Sequence, residues 1–135
     1  MSKTQILMTD EPIVARSLSV FWFKRVYLGR KFHDLSPGTK GAVLAHEFGH
    51  CAGHHTEWRA LLWPIGLWLA KQQEFWADAY ACKMGYGPEL YLHLSDDSKP
   101  AGRYHPTNCH RRQKLVHNKL FASPPLRANT DALLA

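Results

Sequence analysis

The stretch Leu44-Ala45-His46-Glu47-Phe48-Gly49-His50 constrains this chain more than any other. On a helix, His46 and His50 lie one turn apart on one face and can present two imidazoles to a single metal ion. Glu47 leaves the helix at a different angle. It is placed to act on a water held by that ion rather than to bind the ion, which is the division of labour a zinc hydrolase needs. Val43, Leu44, Phe48 and Cys51 surround the motif with apolar positions, so the helix is at least partly buried and its imidazoles need partners.

A start signal lies upstream. Ser36 can cap free backbone donors and Pro37 suits a first helical position, so the helix is expected from there through Gly38 and Gly41 to about Gly53. Before it, Ile13 to Leu28 is rich in β-branched and aromatic residues and reads as two or three short antiparallel strands, with Lys24-Arg25 a tight turn or facing solvent. Arg30 to Leu35 is a connector with room for another short extended piece.

Downstream, Lys71 to Met84 has a second helical pattern stopped by Gly85 as a left-handed cap. Glu74 and Asp78 share a face of it among Phe75, Trp76, Ala77, Ala79 and Tyr80. On their own such carboxylates more often make a solvated face or cap a helix than bind a metal, but the first helix still lacks a third ligand. A short helix opens at Gly87-Pro88, and a basic helix spans about Thr107 to Phe121, with Arg111, Arg112, Lys114 and Lys119 outward and Leu115, Val116 and Leu120 inward. The fold class expected is α+β: a small antiparallel sheet packed against a helical bundle. One domain covers 13–121, with a flexible N-terminus at 1–12 and a mobile tail at 122–135.

With 135 residues, the chain is long enough to bury a core without disulfide staples. Cys51, Cys82 and Cys109 are odd in number and form no Cys-x-x-Cys pair, which fits a reducing, cytoplasmic compartment. The N-terminal residues carry Asp10 and Glu11 and do not read as a secretory signal. The net charge of +6 favours anionic surfaces, but no stretch interleaves basic and aromatic residues over a strand-binding length, so no specific nucleic acid is expected. Trp58 to Ala70 is the most hydrophobic stretch, and it falls short of the roughly 20 residues that span a bilayer. It reads either as a core-facing loop with a helical turn, or as a flap that walls a cleft or touches a membrane periphery through Trp58, Trp63 and Trp68.

His46, His50 and Glu74 together supply two nitrogens and one oxygen, the set that leaves a fourth zinc position for water. Asp78, one turn past Glu74, can accept a hydrogen bond from the outer nitrogen of a ligand histidine. At this point the chain resembles the M48 zinc metallopeptidases, gluzincins of the Ste24 and HtpX type. The likeness rests on Val43 to His50 followed by His55, on Glu74-Phe75-Trp76-Ala77-Asp78-Ala79-Tyr80, on Gly85-Tyr86-Gly87-Pro88, and on His105-Pro106 with Arg111 beyond. With no membrane-spanning segment, it is closer to the minimal soluble forms called minigluzincins.

The resemblance implies a minimal zincin-like fold and one zinc ion per chain, held by His46, His50 and Glu74. Glu47 would be the general base and Asp78 the residue that orients a ligand. His105 would stabilise the oxyanion or act as a removable fourth ligand, with Tyr104 the alternative for the oxyanion and Arg111 bracing the site through a carboxylate. The implied activity is endopeptidase cleavage of a peptide or protein substrate. A repressor-cleaving regulatory protease and a latent zinc-binding interaction module are the alternatives. His54, His93, His110 and His117 have no place in the pattern, and the oligomeric state stays open.

Overall fold

The structure, a computed structural model, describes residues 3–95, 102 and 105–122. Three strands, β1 (Gln5–Met8), β2 (Ala15–Val20) and β3 (Phe23–Leu28), precede five helices: α1 (Pro37–Ala52), α2 (His55–Leu61), α3 (Gly66–Lys83), α4 (Gly87–His93) and α5 (Asn108–Val116). Short 3-10 turns lie at Arg30–Phe32 and Trp63–Ile65. The architecture is α+β.

The sheet order is β1-β3-β2. β2 and β3 form an antiparallel hairpin from Ala15↔Leu28 to Val20↔Phe23, whereas β1 runs parallel to β3 from Gln5↔Arg25 to Met8↔Leu28. The sheet is therefore mixed rather than antiparallel, and part of the segment expected to be a flexible N-terminus is a strand. The link between β1 and β2 wraps the end of β3, where the Arg30 and Lys31 amides donate to the Glu11 and Ile13 carbonyls. That wrap lets a strand of four residues reach the far side of β3 in the parallel sense. The hairpin turn falls at Phe21-Trp22, with Phe21 at φ 50°, and not at Lys24-Arg25, which lie within β3. Arg30 to Leu35 contains a 3-10 turn and no further strand.

Helix α1 is sandwiched. Val43, Leu44 and Cys51 pack on Val26, Leu28 and Phe32 of the sheet side, while Ala42 and Ala45 pack on Ala81, Cys82, Tyr86, Leu90 and Leu115 from the other helices. Its start is the one the sequence signals: Ser36 accepts the Thr39 amide and Pro37 opens the first turn. Burial on both flanks supplies what Gly38 and Gly41 withhold in intrinsic propensity. Gly49 is where α3 crosses. A Cβ there would stand 3.0 Å from the Cα of Ala77 and the Cβ of Tyr80, so the glycine lets the two helices approach.

Helix α3 begins at Gly66, earlier than expected, because the segment after α1 is helical almost throughout. Trp58 to Ala70 is not a core-facing loop: Trp63 is 78% exposed and Trp68 62%. The chain leaves α3 through Gly85 at φ 92°, the left-handed conformation that glycine adopts without steric cost. Helix α5 is shorter than its sequence pattern. Leu115 is buried, but Val116 and Leu120 are exposed, and Arg111 points inward instead of out. Among the described residues no helix is long and apolar enough to cross a membrane.

Candidate metal centre

Because α1 and α3 cross at Gly49, the face of α1 bearing His46 and His50 meets the face of α3 bearing Glu74. The Nε2 atoms of the two histidines are 3.1 Å apart. Glu74 Oε2 lies 3.3 Å from His46 Nε2, and Glu74 Oε1 lies 3.1 Å from His50 Nε2. All three side chains are buried. Ligands at about 2.0–2.1 Å around a tetrahedral ion stand roughly 3.3 Å from one another, so these side chains, with each histidine facing a different oxygen of Glu74, are close enough for the group to hold a metal ion. Among the described residues this is the group of His, Cys, Asp and Glu side chains able to hold a metal ion.

Each imidazole is held from behind, and by different means. His46 Nδ1 is 2.8 Å from Asp78 Oδ1. Asp78 is gripped in turn by Arg111, whose Nη2 donates to Oδ1 at 2.6 Å and whose Nε donates to Oδ2 at 2.8 Å. Arg111 is only 11% exposed, and its Nη1 also lies 3.7 Å from Glu74. His50 Nδ1 instead meets His55 Nδ1 at 2.7 Å. His54, at φ 51° in the left-handed region, reverses the chain between α1 and α2 and swings the buried His55 back against His50.

The charge states follow from these contacts. Burial works against a charged His46, but its hydrogen bonds to the Asp78 and Glu74 carboxylates and their charges outweigh it and hold its pKa up to about 10. Burial likewise opposes ionisation of Glu74, yet hydrogen bonds from His105, His46 and His50 keep its carboxyl far below the usual range. Asp78 is held low against its burial by Arg111 first and His46 second. His55 behaves oppositely: burial, then the neighbouring His50 and Arg59, push it down to about 3, so its ring is neutral at physiological pH. When His50 Nε2 offers its lone pair to a cation, His50 Nδ1 carries the proton and His55 Nδ1 accepts it.

The centre lies in a cleft of about 360 Å³ lined by Glu47, His105 and Arg111 together with the three candidate ligands. His105 reaches Glu74 Oε2 with Nδ1 at 3.4 Å while its side chain is 63% exposed. Tyr104, the alternative for the oxyanion, lies outside the described residues. Val14, Ala15, Arg16 and Ser17 form another wall of the cleft, which also includes His93 and Arg59. Of the histidines without a place in the sequence pattern, His93 thus lines the cleft, while His110 meets Phe75 edge-on and His117 bonds the Gln113 carbonyl. Cys51 is core, as expected for a position about 100° round the helix from His50.

His55 is the contact at this centre that spacing alone did not expose. Its place nine residues after His46 gave a signal only through the family likeness, since nothing in a helical period says that the chain turns back there. Compared with known proteins, the chain matches no family model, no curated protein and no solved structure.

Proposed function

We propose that this chain is a zinc-dependent metalloendopeptidase of the gluzincin kind, a minimal zincin-like domain that hydrolyses peptide bonds. The observation that carries the reading is the convergence of the His46, His50 and Glu74 donors at 3.1–3.3 Å in the cleft that Glu47 lines. A zinc ion held by these three residues would supply Lewis-acid polarisation of the scissile carbonyl and of a water molecule. Glu47 takes the proton of that water as it attacks, and passes it to the leaving amine. His105, at the exposed side of the cleft, donates to the carbonyl oxygen as negative charge develops there. Asp78 and Arg111 keep His46 in the tautomer whose Nε2 lone pair faces Glu74 and His50.

The cleft wall explains how an extended substrate would lie. β2 is an edge strand, and its Ser19 amide points away from β3 to the Thr56 hydroxyl. Strand groups alternate with period two, so Ala15 and Ser17 direct their backbone groups to that same side, where both residues line the cleft. A peptide added along this edge by main-chain hydrogen bonds would run past Glu47.

The test compares wild type with Glu47→Gln for zinc content and for cleavage of an unstructured protein. About one zinc per chain in both, with cleavage reduced by roughly 100-fold or more in the variant, is the expected result. Full zinc with unchanged cleavage would sink the assignment. A latent, zinc-binding module is the second reading, favoured by the His105–Glu74 contact. It predicts zinc in the wild type without cleavage, and activity that emerges on His105→Ala.

A further inference from the structure

Three arginines line the cleft of the metal centre, Arg16, Arg59 and Arg111. Two of them have a carboxylate of their own. Arg111 is bound to Asp78, and Arg16 bonds Glu11 at 2.9 Å with its guanidinium over the Tyr27 ring. Arg59 has none. It stands on α2 one turn past His55, its Nε donates to the His55 carbonyl at 3.4 Å, and no carboxylate among the described residues pairs with it. Arg59 is half-buried, and it borders this cleft but not the apolar hollow between α2 and α3.

A cation drawn partly out of water gains from a counter-charge beside it. With Nε tied to the helix, the two Nη groups are the donors left, and a guanidinium presents them in a planar fork that matches a carboxylate. Phosphate-bearing motifs are taken by clusters of arginines, whereas a single one suits a carboxylate. The sheet edge says how such a group would arrive. Helix α2 meets β2 at Ser19, whose amide donates to the Thr56 hydroxyl and whose hydroxyl donates to Glu57 at 2.6 Å. The open edge at Ala15 and Ser17 therefore runs into α2, and Arg59 lies about one turn along that helix from the junction.

We propose that Arg59 is the specificity-determining residue of this cleft, donating from Nη1 and Nη2 to a carboxylate of the bound peptide, carried by an Asp or Glu side chain or by the peptide's own C-terminus. The net charge of +6 adds a general attraction for acidic peptides, and Arg59 gives that attraction a position. The inference rests on the peptidase reading for the ligand being a peptide, but the pairing itself needs no cleavage.

The probe is one neutral, unstructured peptide in which a single Glu is moved position by position, each version made with a Gln twin and a Lys twin, and each with a free or an amidated C-terminus. Affinity is read by calorimetry on the full chain carrying Glu47→Gln, with zinc present, and cleavage of the same peptides by the wild type is read by mass spectrometry. If a side chain supplies the carboxylate, the Glu peptide binds about tenfold tighter than its Gln twin at one position, and the margin shrinks as salt is raised. If the C-terminus supplies it, the free acid binds about tenfold tighter than the amide whatever the position of the Glu. Arg59→Gln should abolish the preference, and Arg59→Glu should invert it in favour of the Lys twin, which a merely structural arginine would not do. No peptide binding, Glu equal to Gln at every position together with acid equal to amide, or a preference that survives in folded Arg59→Gln would each overturn the proposal. Preferential binding without cleavage by the wild type would overturn the peptidase reading and leave this one standing; cleavage without preference would do the reverse. Should a variant fail to fold, the Glu-to-Gln and acid-to-amide ratios measured with Arg59 in place decide alone.

Discussion

The two histidines of the centre are chemically alike and differently supported. His46 leans on a charged pair, Asp78 and Arg111, at 2.6–2.8 Å; His50 leans on a neutral ring, His55, at 2.7 Å. Charge-assisted hydrogen bonds are roughly twice as strong as neutral ones, so His46 is the firmly oriented ligand and its neighbours the costlier to disturb. The difference also assigns the two sides opposite responses to pH.

The largest effect falls on the ionic side. Arg111→Met leaves Asp78 buried with its strongest partner gone. Breaking a buried pair costs about 3–5 kcal/mol, and the lower end is expected because His46 still donates to Asp78. Denaturant unfolding after chelator treatment measures this. A loss under about 1 kcal/mol would mean that water already screens the pair. Asp78→Asn comes next: it keeps an acceptor for His46 but removes the charge, and zinc affinity should fall about 10- to 100-fold in a chelator competition.

How much of this asymmetry could be read from the residues alone depends on the range of the signal. Local chemistry was legible: the Ser36-Pro37 start of α1, the Gly85 stop of α3, and the shared face of Glu74 and Asp78 are all set within one or two helical turns. What escaped was set at long range. β1 is four residues long, too short for its alternation to stand out, and only the wrap around β3 makes it parallel. Arg111 sits in a helix where polar and basic residues predominate, so no periodicity distinguishes the one arginine that turns inward to Asp78, and only the family likeness set it against a carboxylate. Trp58 to Ala70 read equally as core or as flap, because composition does not say whether a helix end has a neighbour to cover it. The donor set needed two helices already crossed, and a glycine between two histidines does not by itself say that another helix crosses there.

The pH profile sharpens the comparison without a large mutational loss. For His46 the folded value of about 10 lies above the ordinary 6.5, so its stabilisation is complete below pH 6.5 and disappears as pH rises toward 10. For His55 the folded value of about 3 lies below 6.5, so the unfolded chain takes up the proton first and stability falls as pH drops from 6.5 toward 3. The chelator-treated chain should be most stable near pH 6.5, with limbs no steeper than about 1.4 kcal/mol per pH unit for each group. Asp78→Asn should flatten the alkaline limb and His55→Phe the acid limb. An unchanged profile in both variants would break the link between these contacts and the two titrations.

The smallest effect expected is on zinc affinity in His55→Phe. The substitution keeps a ring of similar size beside Trp76, and the bonds that Gln73 and Arg59 make to residue 55 go to its backbone carbonyl, so both survive. What is lost is the acceptor for His50 Nδ1. An unmet buried donor costs about 1–3 kcal/mol, but the same donor is unmet with or without zinc unless the ring turns, so only part of that cost reaches the metal. About tenfold or less is therefore expected, below the loss in Asp78→Asn measured by the same chelator competition. A loss in His55→Phe equal to that of Asp78→Asn would show that orientation, rather than charge, is what both buttresses supply.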